Sequence, residues 1–147
     1  MLVATLFPEA CAMGQKVLFS EVQGIVVRDG APVGGAVVER SYLWAWNDKR
    51  GSDSAVTDQQ GAFRVPVITG RSFLGGVLPH EPAVDQTIHI RHEGKTYEAW
   101  VFSKRNYDGN GELNGKPLRL HCDLSSPPKR TETGPAGQGY FGICELR

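Results

Sequence analysis

The sequence lacks a charge excess: 16 Lys and Arg balance 16 Asp and Glu. A neutral chain has no long-range field to gather a polyanion, which argues against nucleic acid and anionic membrane surfaces as partners. It also lacks any apolar run near the roughly 20 residues a spanning helix needs, so membrane insertion is not expected. Cysteine is scarce and odd in number. Cys11, Cys122 and Cys144 exclude a fully paired intrachain framework. Two states stay open. Either all three are reduced, with Cys122 a small core hydrophobe, or Cys122 bridges Cys144 and Cys11 is removed or free. The odd count favours the reduced state. Helical periodicity is missing too, since no stretch repeats apolar residues at three- and four-residue intervals.

Short strands and tight turns are what remain. Eighteen Gly and nine Pro stand beside many Val, Thr, Tyr, Phe and Trp residues. Residues 1–16 read as an irregular extension rather than a secretion signal, because no basic residue precedes the apolar start and Pro8 and Glu9 interrupt it. Val17–Arg28 reads as a strand with Gly24 at a bulge or close approach. Ala36–Asn47 reads as another, with Val38, Tyr42, Trp44 and Trp46 on one face. Asp48–Asp53 reads as a polar loop, Ser54–Thr57 as a short strand, and Ala62–Ile68 as a strand ending near Pro66. A long connection spans Thr69–Asp85. Gln86–His92 and Lys95–Ser103 form the clearest hairpin around Glu93-Gly94. Lys104–Lys116 is a second polar loop. Pro117–Leu124 alternates cleanly, with Leu118, Leu120, Cys122 and Leu124 on one face. Residues 125–147 read as a mostly irregular tail with a short strand at 141–146. One all-β domain over 17–124 follows: a seven-stranded antiparallel β-sandwich. A chain of 147 residues buries about two thirds of its unfolded surface without needing a staple.

Two stretches carry a family resemblance. Gly24-Ile25-Val26-Val27, a turn, and Pro32-Val33-Gly34-Gly35-Ala36-Val37-Val38 resemble the opening of carboxypeptidase regulatory-like domains. Thr57-Asp58-Gln59-Gln60-Gly61-Ala62-Phe63 is similar to the T-D-x-x-G-x-F turn of the same families. The physical logic of that turn is plain: Asp58 accepts from turn amides, Gly61 takes a positive φ, and Phe63 enters the core. The resemblance implies a prealbumin-like (transthyretin-like) Greek-key sandwich. It also implies an accessory or binding module without catalytic residues. For short free-standing bacterial versions it implies a partner protein, including an inhibitor or immunity-type role against a secreted toxin. Fold alone does not fix activity.

His80, His89, His92 and His121 include no H-x-H with strand-matched facing; His89 and His121 both read as outward-facing, which leaves it open whether they are neighbours, and surface histidines are the better reading than a metal site. Asp108-Gly109-Asn110-Gly111-Glu112 places oxygens at alternate positions as a calcium loop does, but lacks the further acid, so a polar loop is preferred. His121-Cys122-Asp123 places its neighbours on opposite strand faces and cannot serve as a nucleophile–base pair. No cofactor and no enzymatic activity are expected. The candidate partner-binding residues are Trp44, Trp46, Asp48, Lys49 and Arg50 at one strand end, with Phe73, Arg105 and Tyr107 on the two long loops. An aromatic anchor beside charged groups is the composition of an interface hot spot. The alternative use of an exposed Trp46 is stacking on a carbohydrate or cell-surface glycan.

Overall fold

The computed structural model describes residues 15–71 and 78–147. The expected extension over 1–16 lies outside them except for its last two residues, which begin a strand. Among the described residues there are thirteen strands: β1 (Gln15–Phe19), β2 (Val22–Arg28), β3 (Ala31–Pro32), β4 (Val37–Trp44), β5 (Lys49–Val56), β6 (Ala62–Val65), β7 (Ile68–Arg71), β8 (Val84–His92), β9 (Lys95–Lys104), β10 (Leu118–Asp123), β11 (Lys129–Glu132), β12 (Gly139–Gly142) and β13 (Cys144–Leu146). They form three sheets. One has the order β13-β10-β2-β3, with β6 also on β2. A six-stranded sheet runs β11-β12-β9-β8-β4-β5. The pair β1–β7 stands apart. The chain is therefore all-β and largely antiparallel, as expected, but β10 pairs with β2 in parallel. That arrangement needs the long excursion that separates them, which passes through the six-stranded sheet.

The main core lies between the two large sheets. Val22, Val26, Phe63, Val65, Leu118 and Leu120 from one meet Val38, Ile88, Ile90, Trp100 and Phe102 from the other. The alternation read in β10 holds, with Leu118, Leu120, Cys122 and Leu124 all buried. In β9 the alternation breaks. A register shift against Ile88/His89 makes Ala99 the extra residue, so Ala99 and Trp100 are both buried while Glu98 stays outside. Gly24 is a close approach, because a Cβ there would stand 2.6 Å from the Phe63 ring.

The 57–63 turn is built as its residues demand. Asp58 Oδ1 accepts from the Gln60 and Ala62 amides, both at 2.9 Å. Gly61 takes φ +76°, and Phe63 is buried. The Thr57 hydroxyl donates to Val33 O and accepts from the Ala36 amide. One side chain thus pins the turn to the Pro32–Val38 stretch.

Several expectations are corrected. Val17–Arg28 is two strands in different sheets, broken at Ser20–Glu21, where Ser20 O accepts from the Arg40 guanidinium. Asp48–Asp53 is not a loop. Asp48 makes a left-handed turn (φ 52°) and β5 begins at Lys49. A polar strand can sit there because β5 is the edge of its sheet, and ladder bonds need no apolar side chains. The tail carries the β11–β12 hairpin as well as β13. Cys122 and Cys144 are directly opposed on β10 and β13 and form a disulfide, so the reduced reading is overturned for that pair. The pairing depends on β13 returning to β10's edge, which spacing alone does not reveal. His89 and His121 are not neighbours, since they lie in different sheets.

Candidate partner-binding surface

The end of β4 builds an aromatic cluster. Trp44 is fully buried with Leu18 and Val84, and Tyr42, Trp46, Ile68 and Tyr107 pack around them. Trp46 is not on the strand. It rides a single 3-10 turn, Ala45–Asn47. The Trp44 indole N–H donates to Tyr107 Oη at 3.0 Å. Tyr107 Oη lies 2.5 Å from His80 Nε2, and His80 Nδ1 lies 3.2 Å from Leu78 O. A consistent proton order follows: His80 Nδ1–H donates to Leu78 O, and Nε2 accepts from Tyr107. Trp46 stacks on His80 with centroids 3.8 Å apart. The Lys16 ammonium sits 4.5 Å from the Tyr107 ring centre. These rings largely satisfy one another.

Beside this cluster runs a seam of buried polar groups that holds β1. Lys104 Nζ donates to Val17 O (3.1 Å), Gln86 Nε2 to Leu18 O (3.0 Å), and Arg40 Nη1 to Ser20 O (3.0 Å). Arg40 is fully buried and grips Asp53 with two nitrogens at 2.9 and 2.5 Å. It also reaches Pro66 O and lies over the Phe19 ring. Glu112 is fully buried too. Its Oε1 accepts from the Ser20 hydroxyl at 2.9 Å and stands 3.7 Å from Lys104 Nζ. Burial pushes the Glu112 carboxyl above its ordinary value, with Lys104 and Ser20 opposing. Burial pushes the Lys104 ammonium below its own, with Glu112 and Asp108 opposing.

The seam fixes the loop after β9, and that loop walls an open groove of about 980 Å³ on the outer face of the six-stranded sheet. Its floor is Thr87, Val101 and Ser103. Arg105, Arg130 and Phe141 stand around it. Phe141 and Val101 are ladder partners, 39% and 37% exposed. A second depression of about 500 Å³ shares Asp85 and Thr87 with the first and runs on to Leu43, Ser52 and Arg50. The two adjoin along Asp85 and Thr87, and end to end they form a trough across β12, β9, β8, β4 and β5. Four strand spacings give a length of about 19 Å, room for roughly six extended residues.

The residues singled out in the sequence therefore divide. Trp44, Trp46 and Tyr107 come together in the aromatic cluster. Arg50 and Arg105 sit on the trough. Asp48 and Lys49 are exposed at the hairpin turn and join neither group. Phe73 lies outside the described residues. His80, Arg130 and Phe141 were missed. His80 offered no signal beyond its loop, and the two others sat in a tail that looked irregular. Among the described residues no three His, Cys, Asp or Glu side chains converge as metal ligands would.

An all-β scaffold with a preformed cationic trough is the class that fold and surface define. The chain belongs to the family described as Domain of unknown function (DUF6795), whose model matches residues 22–127. Arg50 and Arg105 fall inside that stretch, and Arg130 and Phe141 beyond it. No curated protein and no solved structure matches the chain.

Proposed function

We propose that this chain is a non-catalytic protein-binding domain that occludes its partner across the trough. The observation that carries this reading is the trough itself. It is open and mixed in polarity. Two neighbouring half-exposed hydrophobes, Val101 and Phe141, stand beside Arg105 and Arg130, with Arg50 at the far end. Aromatic and Arg side chains are the residues that dominate binding energy at interfaces. Three cations against the single Asp85 favour an extended acidic segment as the bound element. The scaffold is proposed to be a prealbumin-like sandwich of the carboxypeptidase regulatory-like kind. The 57–63 turn and its tie to the Pro32–Val38 stretch support that finer assignment. The partner class implied by that likeness is a secreted bacterial toxin or effector, with this chain as the inhibitor or immunity-type protein. The glycan alternative has less support, because His80 already covers one face of Trp46.

The test is affinity capture from the source cells, with mass spectrometry, using the natural chain and Arg105→Glu/Arg130→Glu in parallel. A stoichiometric partner that the charge-reversed chain fails to retain is expected. No partner, or one retained equally by both chains, would sink the proposal.

A further inference from the structure

The Lys104 ammonium is surrounded by more oxygens than it can serve. Asp108 O lies at 2.7 Å, Asn106 O at 2.9 Å, Val17 O at 3.1 Å and Asn106 Oδ1 at 3.2 Å. Glu112 Oε1 is a fifth, at 3.7 Å. An ammonium has three protons. Glu112 is fully buried, and its second carboxylate oxygen has no donor within hydrogen-bond distance. The calcium-like spacing of Asp108 to Glu112 thus has a structural counterpart: the loop wraps a positive charge, and that charge belongs to a side chain.

We propose that the nest formed by Val17, Asn106, Asp108 and Glu112 is a cation site whose resident cation is the Lys104 ammonium, and that a free monovalent ion of ammonium or potassium size takes its place when that ammonium is removed. The size follows from the four shorter distances, all longer than the roughly 2.3–2.6 Å that calcium takes from oxygen. Backbone carbonyls in such a ring can replace an ion's hydration shell. The charge follows from the single carboxylate, which one positive charge neutralises. The consequence reaches the surface. Asn106 gives the cation two oxygens, and its neighbours are Arg105 on the trough and Tyr107 in the aromatic cluster. One buried charge sets the position of both.

Lys104→Ala empties the nest, and Lys104→Met fills the same space without charge. Thermal unfolding of both variants and the natural chain is followed in ammonium, potassium and tetramethylammonium chloride at equal ionic strength. The melting temperature of Lys104→Ala should rise by several degrees in ammonium or potassium over tetramethylammonium, while the other two proteins respond equally to all three salts. A Lys104→Ala chain indifferent to the salt, or unfolded in all of them, overturns the proposal, as does an equal response from Lys104→Met. A second readout needs no variant. In the natural chain labelled with ¹⁵N-lysine, one ammonium signal should exchange its protons far more slowly than the rest. Uniformly fast exchange would contradict the proposal independently.

Discussion

The aromatic cluster and the trough lie at neighbouring places on one sheet, yet they use their side chains in opposite ways. In the cluster Trp44, Tyr107 and His80 are joined by hydrogen bonds and Trp46 is stacked on His80. Each ring is occupied by another ring. In the trough Val101 and Phe141 are half-exposed and Arg105 and Arg130 are exposed, with one Arg130 nitrogen donating to Gly137 O of its own hairpin. Aromatic residues crowded in a sequence are thus no guide to a binding face by themselves. What marks the face is apolar and charged surface that the fold positions but does not consume.

Substitutions should separate the two regions sharply. The largest effect belongs to the cluster: Trp44→Ala removes a fully buried indole and should cost about 3–5 kcal/mol in urea unfolding. A cost under about 1 kcal/mol would mean that the ring is not packed as described. The disulfide comes next. Replacing Cys122 and Cys144 by Ala should cost about 3 kcal/mol, as expected for closing a loop of this length. Thiol titration of the unfolded chain should find two more thiols after reduction than before it.

Glu112 gives a smaller, pH-dependent effect. Its carboxyl is raised above the ordinary 4.5 by burial, so the folded chain holds that proton more tightly than the unfolded chain does. The stabilisation this provides is complete below pH 4.5 and is lost as pH rises through the raised value. The stability of the natural chain relative to Glu112→Gln should therefore fall across that window. A difference that stays flat with pH would show that Glu112 is not buried. The smallest effect belongs to the trough. Arg105→Glu/Arg130→Glu should alter stability by less than about 0.5 kcal/mol, because both side chains are exposed.

Much of the scaffold was legible because alternation and turn chemistry are local. The apolar face of Leu118 to Leu124 and the Asp58–Gly61 turn each depend on residues within a few positions. Only the end of β5, Ser54–Val56, reads as a strand, and its first half up to Asp53 reads as a loop, because backbone pairing at a sheet edge leaves no apolar trace. The β11–β12 hairpin was lost for a related reason: Lys129–Glu132 is an edge strand, and Pro and Gly fill the turn. The seam was invisible for a different reason. Arg40, Lys104 and Glu112 look like surface charges until their partners are known, and those partners are distant: the Ser20–Glu112 bond spans 92 positions. Arg40 stands on the same face of β4 as Val38, Tyr42 and Trp44, and only the fold shows that it points inward. The candidate site inherits this limit. Arg50 and Arg105 were found, but Arg130 and Phe141, which complete the trough, needed the hairpin.

Amide chemical-shift mapping with the captured partner tests the central claim most directly. Titrated into ¹⁵N-labelled chain, the partner should shift the amides of Thr87, Val101, Ser103, Arg105 and Phe141 most strongly and leave Ala45–Asp48 nearly still. Shifts confined to the Trp46–His80 end, with the trough unmoved, would contradict the account.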